Sequence, residues 1–232
     1  MFVPLHDENS LKSIRFQWVT MTIIVLNVIV YFLETMQLDE AAIAGFAIIP
    51  TELFDTSLFP IPMQQVGTIK PEELTLLTYM FFHGDILHLA GNMLFLWVFG
   101  DNVEDALGHI KFLFFYLACG AFGGLVHAVI DTSSDVPLIG ASGAVAGVIA
   151  AYLMLHPRVR VWVLAFKAIP LRISAMFALG LWIVMQIVMV LLPQVGPVAW
   201  WAHIGGLIAG AVLVVFLRRP GVPLFDKGLG VA

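Results

Sequence analysis

Four side chains in this sequence combine reactive chemistry with a telling spacing. Ser142 lies in Gly140-Ala141-Ser142-Gly143, and His203 in Ala202-His203-Ile204-Gly205-Gly206. His88 and Asn92 stand four apart in His88-Leu89-Ala90-Gly91-Asn92, a spacing that stacks them on one face of a helix. A serine held against a histidine is the minimum for nucleophilic catalysis. The imidazole accepts the hydroxyl proton as the oxygen attacks a carbonyl, then returns it to the leaving group. Gly140 and Gly143 keep the nucleophile unobstructed and let backbone approach a substrate. A helix starting at Ser142 would present free N–H groups and the positive end of its dipole, so the Ser142 N–H suits an oxyanion hole. The Asn92 amide, with His88 beside it, would supply further donors from a facing helix.

The elements that must position these groups are membrane helices. Of 232 residues, 60 % are hydrophobic and 12 % charged, with a mean hydropathy of +0.97. A soluble domain carries about 25 % charged residues to solvate its surface, so lipid is part of this chain's solvent. The apolar content excludes disorder. A net charge of −5 and a pI of 5.7, with no basic tract away from membrane-flanking positions, argue against a nucleic-acid partner. The single cysteine, Cys119, excludes an intramolecular disulfide.

Six stretches approach the roughly 20 apolar residues that a span requires: 16–35, 86–102, 112–130, 138–155, 173–192 and 198–217. The expectation is an all-α, polytopic six-helix bundle forming one domain over 1–232. A long outer loop occupies 38–82, and apolar pieces at 41–49 and 159–166 are expected to lie in the interface. Mostly polar residues including Asp7 and Glu8 precede the first span without a cleavage site, so that span is expected to stay in the mature protein. With both termini cytoplasmic, only Lys70 of the eleven basic residues falls outside, as the positive-inside rule demands.

At 1.5 Å rise per residue, His88 and Asn92 lie roughly 5 and 10 Å inward of Asp85, Ser142 about 7 Å inward of Pro137, and His203 roughly 9 Å inward of Pro197. Under the six-span topology all three helices enter from the outer face, so the four groups share one layer. No Asp or Glu is available at that depth, and the expectation is a Ser142–His203 dyad. Gly143 with Gly147, and Gly206 with Gly210, form the small-xxx-small pattern that lets helix backbones approach in lipid. Packing those two faces would carry His203 to Ser142.

These motifs, in this order and in these spans, resemble the rhomboid intramembrane serine proteases. The resemblance covers nearly the whole chain, including the long first outer loop. It implies a dyad of Ser142 as nucleophile and His203 as general base and acid, with oxyanion contacts from the Ser142 backbone N–H, His88 and Asn92. It implies hydrolysis of a peptide bond in or beside a transmembrane helix of a protein substrate, without metal or organic cofactor. Water would reach the site from the outer face, and the fifth span with the 193–198 cap would move to admit substrate. Two departures stand out. The Trp-Arg pair that many rhomboids carry in the first outer loop is absent from 38–82, and Ala146 occupies the position where an aromatic often packs on the histidine.

Blander readings compete. Asn92 as interhelical glue is the strongest, since amides commonly serve that role in membranes, and a membrane histidine is most often a structural hydrogen-bonder, the role expected of His109 and His127. His83 should tie down the outer loop. Glu104 and Asp105, at the inner end of the second span, should hydrogen-bond loops. Gln186 is isolated in the fifth span, and Trp200 and Trp201 read as an aromatic belt. Metal binding through His83, His88 and His203 lacks a carboxylate or thiolate at the right depth. A transporter would place its polar groups near the midplane of repeated halves. The alternative to a protease is a catalytically silent relative that binds transmembrane helices. The expected setting is a multi-pass protein of a prokaryotic plasma membrane, its site open to the outer face.

Overall fold

The computed structural model describes residues 2–38, 40–54, 72–165, 168–192 and 198–226. Strand β1 (Phe2–Asp7) leads to helix α1 (Trp18–Gln37). Short helices α2 (Glu40–Ala44), α3 (Pro50–Leu53) and α4 (Thr75–Thr78) punctuate the loop that follows. The long helices α5 (Ile86–Leu107) and α6 (His109–Ile130) come next, then α7 (Ser142–Leu155). Strands β2 (Arg160–Ala165) and β3 (Ile169–Ser174) separate α7 from α8 (Ala175–Leu191) and α9 (Trp200–Leu217).

The chain is mostly helical and is an integral membrane protein. Helices α1, α5, α6 and α9 are each long and apolar enough to cross a bilayer, while α7 and α8 are apolar but shorter. The short α7 is the core of the bundle: every residue from Gly143 to Tyr152 is buried. Being sheathed by protein, it has no need to match the lipid thickness, and the irregular backbone before Ser142 is tolerable because protein surrounds it. The expected span 138–155 therefore begins as a helix only at Ser142. The helix expected over 86–102 instead runs to Leu107, and the third starts at His109 rather than 112.

The all-α expectation needs correction. Strands β1, β2 and β3 form an antiparallel sheet with β2 in the middle, so residues 160–165 of the apolar piece expected at 159–166 are a β-strand. Alternation explains it, since Val161 and Val163 are fully buried while Arg160 and Trp162 point out. Glu8, just past β1, reaches across the central strand to make a two-pronged ion pair with Arg172 of β3 and accepts from the Trp162 indole N–H. The Arg172 guanidinium beside Glu8 holds that carboxyl below its ordinary range.

Glu104 and Asp105 serve local backbone, as expected. Asp105 accepts from the N–H groups of Lys12, Ser13 and Ile14 at 3.0, 2.6 and 2.7 Å. Glu104, fully buried, accepts from the Val19 and Thr20 N–H groups and from the Thr20 hydroxyl. Those N–H groups belong to the first turn of α1, whose own N-cap residue, Gln17, supplies no side-chain cap. A carboxylate from α5 thus caps a neighbouring helix at its positive end.

Helix α9 packs on α6 and α7 through glycines. A methyl on Gly206 would sit 1.9 Å from the Gly143 carbonyl oxygen, and one on Gly210 2.2 Å from that of Gly147. Gly206→Ala is expected to lower stability in detergent by about 1–3 kcal/mol or more, because a close-packed crossing must open to admit the methyl. Gly180→Ala in α8, where a methyl meets nothing within 4 Å, is expected to be neutral or to stabilise by up to about 1 kcal/mol through helix propensity. Thermal melts of the two purified variants against the parent check this pair, and equal melts would remove the crossing as a determinant of stability.

Candidate functional site

Asp85 sets where α5 begins. Its carboxylate accepts from the N–H groups of Leu87 and His88, both at 2.8 Å, and those bonds hold it below the ordinary aspartate range. This N-cap puts His88 and Asn92 in the first two turns, facing the segment that leads into α7. Gly140, in that segment, has φ of +123°. A methyl there would lie 2.7 and 2.8 Å from Cε1 and Nε2 of His88 and 3.9 Å from Nδ2 of Asn92. Glycine is needed at 140 on two counts, the left-handed backbone and the approach of the His88 ring.

Loop and helix residues hold the turn in place. The Gly140 N–H donates to the Tyr79 carbonyl at 2.9 Å, and Ile48 and Leu138 exchange two backbone bonds. The Tyr79 hydroxyl donates to the Gly120 carbonyl at 2.7 Å, tying the same loop to α6. The Ala141 N–H points at Nε2 of His83 at 3.5 Å, and the His83 ring meets that of His88 edge-on at 5.1 Å. The buried His83 ring thus meets the turn before α7 and the start of α5. Burial, with His88 nearby, pushes its imidazole down to about 4.

Ser142 is the first residue of α7 and is half-buried, between buried neighbours on both sides. Ala141 provides no side-chain cap, so the N–H groups of this first turn remain open to an anion. Asn92 is buried, and its Nδ2 finds no acceptor among the described residues. The structure therefore gathers His88, Asn92, Gly140 and the start of α7 around one point.

His203 arrives from α9. The Ala202 carbonyl and the Gly206 backbone lie against Gly143, the residue after the serine. No hydrogen bond joins Ser142 to His203 among the described residues. The histidine is engaged on its other side. Its Nδ1 lies 2.8 Å from Oε1 of Gln186, whose Nε2 donates to the Trp182 carbonyl at 3.1 Å. Trp182 lies tilted against the ring at 6.0 Å and Trp200 edge-on at 5.8 Å.

Two readings are thereby corrected. Gln186 is not isolated, and Trp200 is more than part of an interfacial belt. The signal for Gln186 was present, because a lone amide in an otherwise apolar helix demands a partner. Of the two structural histidines, His109 pairs with Glu104 as expected, whereas Nδ1 of His127 has no partner among the described residues. The 193–197 part of the cap and residues 55–71 of the outer loop, including Lys70, lie outside the described residues.

A family model for the rhomboid domain matches residues 70–220, a range that includes His88, Asn92, Ser142 and His203. RHOMBOID-like protein 5 of Arabidopsis thaliana is 32 % identical over 150 residues, covering 64 % of this chain and 46 % of that protein. Rhomboid protease GluP of Bacillus subtilis is 34 % identical over 154 residues, 66 % of this chain and 28 % of its own. The human presenilin-associated rhomboid-like protein, mitochondrial, is 31 % identical over 145 residues, 59 % of this chain and 36 % of its own. The matched region thus spans less than half the length of each of these relatives.

The buried, neutral His83 carries a pH dependence. Its folded pKa of about 4 lies below the ordinary 6.5, so between those values the unfolded chain holds more protons than the folded one. Its contribution is present above pH 6.5 and is lost as pH falls towards 4. His83→Asn is expected to flatten the fall in melting temperature between pH 7 and 4.5. A variant whose melts fall as steeply as the parent's would exclude His83 from that acid sensitivity.

Proposed function

The chain belongs to the rhomboid family, and from that premise we propose that it is an intramembrane serine protease. Ser142 is the nucleophile and His203 the general base and acid. The substrate is a membrane protein whose transmembrane helix is cut in or near the bilayer. In this reading all of 1–232 is one domain with six spans and both ends in the cytoplasm, and the site opens to the outer face. The resemblance motifs and the basic-residue asymmetry support that topology. The membrane is a prokaryotic plasma membrane in this reading.

The chemistry follows from the groups. Ser142 Oγ attacks the carbonyl carbon of the scissile peptide while its proton passes to Nε2 of His203. The oxyanion of the tetrahedral intermediate is received by the Ser142 N–H, the Asn92 amide and His88. The C–N bond breaks as Nε2 returns the proton to the leaving amine, giving an acyl-enzyme. Water then attacks that ester, losing its proton to Nε2, and Ser142 is regenerated when the proton comes back. A peptide bond within a helix is shielded by its own hydrogen bonding, so the substrate must unwind locally before attack.

The observation that carries this reading is Asn92. Its buried Nδ2 has no acceptor among the described residues, although an unsatisfied donor in a bundle core costs about 1–3 kcal/mol. It lies beside the turn that delivers Ser142, where a developing oxyanion would satisfy it. Interhelical glue would need an acceptor that Nδ2 does not have among the described residues.

A fluorophosphonate probe tests the assignment on the full chain in detergent. The parent is expected to label, Ser142→Ala and His203→Ala to lose labelling, and Asn92→Ala to label about a hundredfold more slowly. Labelling that survives in Ser142→Ala would overturn the nucleophile. A folded parent that does not label would transfer the assignment to a silent, helix-binding relative.

A further inference from the structure

We propose that Gln186 is the positioning residue of His203. Its side-chain carbonyl accepts the Nδ1–H, holding the ring in the tautomer whose Nε2 is free to take the Ser142 proton. The inference deepens the serine-protease reading and rests on it.

The hydrogen bonds leave only one consistent arrangement. Nε2 of Gln186 lies 3.1 Å from the Trp182 carbonyl, which can only accept, so that end of the amide must be the NH2 group. The opposite end, facing Nδ1 of His203 at 2.8 Å, is then the carbonyl oxygen. An amide turned the other way would set two oxygens against each other at Trp182. A carbonyl oxygen offers nothing to an unprotonated nitrogen, so Nδ1 carries the hydrogen. A neutral imidazole has one N–H, and Nε2 is left with its lone pair. That is the form a general base requires.

Burial makes the arrangement specific. Gln186 is 1 % exposed and His203 8 %, and Trp182 and Trp200 flank the ring. Gln186 is the one hydrogen-bonding side chain in α8 apart from the Trp182 indole. An amide alone in an apolar helix is costly in lipid, and here its carbonyl points at the base. A carboxylate in the same place would also orient the ring but would bring a charge into the membrane. The amide gives the orientation without the charge. Among the described residues, the titratable side chains whose charge would act on His203 from the packed helices are His88 on α5 and His127 on α6.

The test measures the second-order rate of fluorophosphonate labelling between pH 5 and 9, with thermal melts, on the full chain in detergent. Gln186→Leu is expected to label about 10- to 100-fold more slowly, less than the roughly 10⁴-fold lost when a charged orienting group is neutralised. Gln186→Glu keeps an acceptor at Nδ1. It is expected to recover most of the rate and to move the acid limb of the pH–rate profile upwards, because a carboxylate raises ring basicity. Parent-like labelling by Gln186→Leu at every pH would overturn the proposal. So would a Gln186→Glu variant that is as slow as Gln186→Leu with an unmoved limb, the result of a merely structural role. Should Gln186→Leu fail to fold, the limb of Gln186→Glu decides alone. Labelling that persists in Ser142→Ala, or a folded parent that does not label, overturns the protease reading and this inference together; a labelling parent with an indifferent Gln186 overturns only this one.

Discussion

Where α9 crosses α7, Gly206 and Gly210 face the carbonyl oxygens of Gly143 and Gly147 so closely that neither could carry a methyl without displacing the partner helix. Between helices in lipid, apolar burial gives little drive, because lipid tails are as apolar as leucine; close dispersion contact must supply the attraction. The same closeness fixes register. Sliding one helix by a residue rotates its side chains by about 100°, and a glycine groove replaced by Ile204 or Leu207 would not close. Ser142 is one residue from Gly143, and His203 is one turn from Gly206. A third helix joins the crossing, since Gly123 of α6 could not bear a methyl against the Ala202 carbonyl. Three backbones locked at one depth hold the relative positions of serine and histidine to a fraction of a helical turn.

Buried polar groups in this bundle fall into two kinds. Glu104 and Asp105 spend their oxygens on backbone N–H groups that would otherwise have no partner, so each solves a local problem of helix and chain ends. Asn92 solves none. An unpaired atom alone does not mark a site, since Asn27 Oδ1 and the Tyr116 hydroxyl also have no partner among the described residues. Asn92 differs because His88 lies beside it on the same helix face, because the Gly140 backbone comes close to both, and because α7 opens two residues later.

Much of this was legible in the sequence. The glycines that make the crossing are visible as spacing, and the polar groups are conspicuous because membrane helices exclude them. Helix limits were less visible: α5 continues five residues past 102 because Glu104 and Asp105 are held by neighbouring backbone rather than by solvent. The sheet was hidden for another reason. Val159 to Phe166 reads as an apolar run, and pairing on both sides, with β1 more than 150 positions earlier and with β3 just after, turns the alternation of 160–165 into a buried face and an exposed one. The partner of Gln186 was equally hidden, because periodicity places an amide on a helix face without saying which neighbour that face meets.

The small residue at 146 and the hold on His203 from α8 belong to one packing arrangement. Ala146, Ala150 and Leu207 form a buried cluster against which Trp182 and Ile183 pack. An aromatic at 146, rising from α7, would occupy the volume that the α8 side chains now fill. With alanine there, α8 lies close enough for Trp182 to flank the His203 ring and for Gln186, one turn further on, to meet Nδ1. A ring supported by an aromatic on α7 has its face covered but its tautomer undetermined, because stacking does not distinguish the two nitrogens. Support from α8 covers the face with an indole and settles the proton with an amide. The small residue at 146 and the lone glutamine, which look unrelated in the sequence, therefore answer the same physical requirement: a neutral histidine in a membrane must be told which nitrogen to leave bare.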